Sequence, residues 1–62
     1  MPQLTAKELT ALEDQLNSEH LLVKKFKSYA QMTSDTQIRG TCEQLAARHK
    51  NHYDTLMGHL CC

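Results

Sequence analysis

Thr33-Ser34-Asp35-Thr36 is the stretch on which the fold turns. Four short polar residues in a row hydrogen-bond readily to nearby backbone, so they favour caps and turns over a helix interior. On the N-terminal side, Leu9, Leu12, Leu16, Glu19, Val23, Phe26 and Ala30 recur at alternating steps of three and four, the spacing of a bundle-facing helix stripe. Thr5-Ala6-Lys7-Glu8 has the form of a capping box ahead of that stripe. No glycine or proline interrupts residues 6–32, which predicts a single helix about 40 Å long.

On the C-terminal side a second stripe runs through Ile38, Cys42, Leu45, His49, His52, Leu56 and Leu60. Asp35 suits the first turn of that helix electrostatically, and Ser34-x-x-Gln37 offers another capping box. Gly40 weakens the helix start by about 1 kcal/mol relative to alanine, and Gly58 marks its fraying end. The expected architecture is all-α: one domain over residues 1–62, with helix 6–32, turn 33–35 and helix 36–59 forming an antiparallel hairpin.

Both stripes are too wide for one partner. Leu22, Ala11 and Tyr29 extend the first to an arc of about 160°, and Ala46, Tyr53 and Met57 widen the second similarly. The surplus apolar strip calls for a second hairpin, hence a homodimer forming a four-helix bundle. Charge agrees with that folding. Glu8, Glu13, Asp14 and Glu19 fill the front of the first helix and Lys24, Lys25 and Lys27 its back, so the hairpin sets the acidic half beside Arg48 and Lys50.

Composition narrows the function. A chain of 62 residues buries only about 60% of the surface its unfolded form exposes, which again favours a partner subunit. Seven basic and seven acidic residues cancel, so no basic face for nucleic acid is expected. The longest strictly apolar run, Leu21-Leu22-Val23, is far short of a membrane span. Met1-Pro2-Gln3-Leu4-Thr5 does not have the form of a secretory signal, and a cytoplasmic location is expected. Cys42, Cys61 and Cys62 make an odd count without disulfide-scaffold spacing. Cys42 reads as a small buried hydrophobe, while the Cys61-Cys62 tail could either stay reduced or cross-link chains.

With the turn centred on Ser34, residues whose numbers sum to about 68 face each other. Val23 then meets Leu45, Glu19 lies opposite His49, and Leu16 lies opposite His52. His49 and His52 are one turn apart on one face, so a carboxylate and two imidazoles converge, a set that iron, manganese or zinc would accept. A buried Glu–His pair fixing the bundle register, with no cofactor at all, is the alternative. A di-iron bundle would need more carboxylates, usually a Glu from one helix and Glu-x-x-His from the next. His20 lies at the stripe edge, His59 reads as solvated, and Tyr29 and Tyr53 read as bundle-edge packing. No phosphate loop, nucleophile elbow, Cys-x-x-Cys or His-Glu-x-x-His motif is present, and an enzyme is not expected.

Three stretches carry a resemblance: Leu16-Asn17-Ser18-Glu19-His20-Leu21-Leu22, Thr36-Gln37-Ile38-Arg39, and His49-Lys50-Asn51-His52-Tyr53-Asp54-Thr55-Leu56-Met57. Over most of residues 8–60 the chain resembles the spore coat protein F (Coat F) family of endospore-forming bacteria. That resemblance implies half a ferritin-like bundle, a sporulation-associated structural role, and deposition in the spore coat beside other coat proteins. The competing expectation is a small ferritin-like metal protein using Glu19, His49 and His52. Ala46-Ala47-Arg48-His49 departs from the acidic and glutamine residues that lead into the histidine in related proteins, which weakens a di-iron role. The Cys61-Cys62 tail is likewise foreign to the family pattern.

Overall fold

Helix α1 (Ala6–Met32) begins where its first amides find partners. In this computed structural model, which describes residues 4–60, Thr5 Oγ1 accepts from the Glu8 amide at 3.1 Å and Glu8 Oε1 accepts from the Thr5 amide at 2.9 Å. The capping box is therefore formed in full. The hydrogen bond from the Thr5 amide, followed by the one from its hydroxyl, holds the Glu8 carboxyl below its ordinary value. At the other end Thr33 turns extended and its N–H still reaches the Tyr29 carbonyl. Arg39 then folds back over this terminus. Its Nε donates to the Ala30 carbonyl at 3.2 Å and its Nη2 to the Thr33 carbonyl at 2.9 Å, satisfying acceptors that the helix cannot.

Helix α2 (Thr36–Met57) is capped by Asp35 and not by the Ser34 box. Asp35 Oδ1 accepts from the amides of Gln37 (2.8 Å) and Ile38 (3.1 Å), and the Asp35 amide is itself held by Thr33 Oγ1. A carboxylate wins this competition because it matches the positive helix end and can take two amides at once. The helix closes at Met57, two residues short of 59. Gly58 still bonds the Asp54 carbonyl, but His59 and Leu60 bond Leu56 and Met57, tightening the chain into a three-residue turn.

The two helices pack side by side as a hairpin, with no strand among the described residues. Its seam is built from Leu16, Ala30, Cys42 and Ala46, all buried, and from the buried Glu19. Leu12, Val23, Phe26, Leu45 and Leu56 are only half-buried, and Leu9 and Ile38 are exposed. Not one described side chain is completely enclosed. The radius of gyration of 14.4 Å exceeds the ~10.6 Å of a compact chain this long, and the body measures 46 × 17 × 11 Å. It is a flat rod with two broad faces.

Those faces differ in character. On one, Phe26 meets Tyr29 edge-on at 6.4 Å, Leu22 lies one turn before Phe26, and Ile38, Leu45 and His52 follow at seven-residue steps along α2. On the other, Lys24, Lys27 and Lys50 rim a shallow groove of about 350 Å³ with His20, Val23 and Tyr53. Tyr53 packs against the His20 ring there at 6.1 Å, so it widens the α2 stripe toward the charged face, away from Leu22 and Tyr29. The expected charge pairing between helices is absent among the described residues. Lys50 bonds Asp54 one turn along its own helix at 3.2 Å, and among the described residues the inter-helix ion pairs are those of Glu19. No described helix is long and apolar enough to cross a membrane.

Candidate metal centre

Glu19 sits at mid-length in α1 and is 7% exposed, an unusual position for a carboxylate. Its position on the stripe forces it into the seam, where only polar partners can offset the lost water. Both come from α2. His49 Nδ1 donates to Glu19 Oε1 at 2.6 Å, and His52 Nδ1 lies 3.4 Å from Oε2. The donor role falls to the imidazole because an ionised carboxylate can only accept. Gln15 Nε2, one turn back on α1, donates to Oε2 at 3.3 Å.

The hydrogen bond from His49 is the largest influence holding the Glu19 carboxyl below its ordinary value. Burial opposes it, while the Gln15 bond and the charges of both histidines add to it. The site is therefore built to keep a carboxylate ionised inside the hairpin.

Each histidine is placed differently. The His49 ring lies nearly parallel to Phe26, with centroids 5.8 Å apart and planes 5° from coincidence. His52 stands edge-on to His49 at 5.5 Å, and its side chain is 51% exposed on the apolar face. A groove of about 310 Å³ lined by Gln15, Glu19, His52, Thr55 and Leu56 opens beside it. One ligand atom from each of Glu19, His49 and His52 lies within 4.8 Å of the others, and no other such group occurs among the described residues. His20 is turned away against Tyr53, and His59 lies in the exposed turn after α2. Cys42 is buried in the seam outside the cluster, and Cys61 and Cys62 lie outside the described residues.

The donor set fits one borderline transition metal better than a di-iron centre. A carboxylate-rich di-iron bundle draws four carboxylates and two histidines into its core. Two copies of this hairpin would supply two carboxylates and four histidines. Where Glu-x-x-His would place its carboxylate, this chain has the buried Ala46, three residues before His49.

Sequence periodicity alone does not reveal Gln15, Phe26 or Arg39 as supporting residues. Gln15 could have been found from its four-residue spacing to Glu19. The stripe places Phe26 on the bundle-facing side but not its ring against His49, and Arg39 carries no such local signal. No family model matches the chain, and neither curated proteins nor solved structures return a match.

Proposed function

We propose that the protein is a structural or assembly subunit of the spore-coat type, acting without catalysis as a homodimeric four-helix bundle. The uncovered apolar face of the hairpin carries this reading. The accessible surface of the whole chain is 4889 Å², about 800 Å² more than a compact monomer of this mass exposes. That surplus is about one partner's share of a standard protein–protein interface. A second hairpin presenting the same face would cover Tyr29, Ile38 and the half-buried Leu22, Leu45 and Leu56, and would leave the charged faces outward. The coat assignment rests on the resemblance of residues 8–60 to the Coat F family. A rod with a charged outer face suits lateral stacking in a layer.

Fractionation of purified spores tests the location. Recovery in the alkaline detergent extract of the coat supports the reading, and recovery only from the soluble fraction of vegetative cells refutes it. Sedimentation equilibrium tests the assembly: a folded monomer at micromolar concentration is incompatible with the proposal.

A further inference from the structure

The geometry points to a second property, independent of where the protein is deposited. We propose that Glu19, His49 and His52 bind one divalent transition metal of the zinc class per chain, with a fourth position open to solvent beside His52. A register-fixing ion pair accounts for Glu19 and His49, which meet at 2.6 Å. It leaves His52 unexplained. That imidazole is half exposed and adds little packing, yet it presents Nδ1 to the one carboxylate oxygen that His49 does not use.

Ligand spacing supports the assignment. Tetrahedral zinc with bonds of about 2.0–2.2 Å separates its ligand atoms by about 3.3 Å. The 3.4 Å between His52 Nδ1 and Glu19 Oε2 already has that span. The shorter contact to His49 is a hydrogen bond, and the metal takes the place of its proton. The orientation of the ligands is supported from outside. Gln15 fixes the carboxylate through Oε2, and the parallel Phe26 ring fixes the plane of His49. Two imidazoles and one carboxylate select zinc, cobalt or ferrous iron over magnesium and calcium, which require oxygen-dominated shells.

The test uses the full chain without a histidine tag, carrying Cys61→Ser and Cys62→Ser because terminal thiolates are zinc ligands in their own right. Zinc titration by calorimetry and cobalt titration by visible absorption are run on this protein and on its His52→Ala form. The expected result is one equivalent per chain, tetrahedral cobalt bands, and at least a tenfold loss of affinity in His52→Ala at unchanged helix content, since the altered side chain is half in solvent. Glu19→Gln, scored only if its circular dichroism matches, should lose more. Three outcomes overturn the proposal: no uptake at several-fold excess of zinc, uptake unaffected by His52→Ala, or displacement of zinc by equimolar magnesium.

Discussion

Ile38→Ala separates a hairpin that is complete from one that waits for its twin. Ile38 is 51% exposed, so about half of its burial is still unrealised in the single chain. Full burial of an isoleucine side chain contributes roughly 1.5–3 kcal/mol, which leaves about 0.8–1.5 kcal/mol for a partner to supply. A two-fold interface counts every position twice, so covering both copies contributes about 1.5–3 kcal/mol to dimerisation. The Ile38→Ala dissociation constant should rise by roughly 10- to 150-fold in sedimentation equilibrium. Leu21→Ala and Met32→Ala are the controls. Leu21 and Met32 are more exposed, at 64% and 76%, but lie on the outer side of α1, opposite the seam. Equal dissociation constants for Ile38→Ala and the two controls would refute the assignment of the interface to this face, whatever the oligomeric state.

Three further outcomes follow from the local structure. A Cβ built at Gly40 meets nothing within 4 Å, so Gly40→Ala should raise stability by about 1 kcal/mol in urea denaturation; a loss instead would reveal an unseen neighbour at that site. Asp35→Ala removes the acceptor for two α2 amides and should cost about 1 kcal/mol by the same assay, with Asp35→Asn recovering most of it and Asp35→Leu none. The Glu19 carboxyl is lowered by folding from its ordinary 4.5, so its contribution to stability is complete above that value and is lost as pH falls through the folded value. Urea midpoints should hold at neutral pH and drop below about 4.5, more shallowly in Glu19→Gln, where Glu8 still contributes; parallel curves would contradict the linkage.

The parts of this fold that are legible in the sequence are those set by local chemistry or by counting from a turn. Thr5 and Glu8 satisfy each other three residues apart, and no helix breaker follows until the turn. The choice between Ser34 and Asp35 is not legible by the same rule. Both are good caps, and the decision depends on which oxygen can take two amides. The convergence of Glu19 with His49 follows from a short turn, because register propagates along two rigid rods. Counting puts His52 opposite Leu16, yet its ring meets Glu19. Side chains lean toward the N-terminus of their own helix. In an antiparallel pair that leans Glu19 and His52 toward each other, closing the one-turn offset. Residues such as Arg39 and Phe26 act through reach and ring orientation, which no periodic pattern encodes.

The presence of both Ala46 and Glu19 among the buried residues of the seam is what separates the two readings of the cluster chemically. A bundle selected for oxidising iron gains from every added carboxylate, and Ala46 occupies the inward position, three residues before His49, from which one could be supplied. Ala46 is instead one of the buried apolar side chains of the seam, and with the buried Ala30 of α1 it lines a groove between the helices. The chain has thus placed a small apolar side chain where iron chemistry would demand charge, while keeping one buried carboxylate that packing alone would replace with leucine.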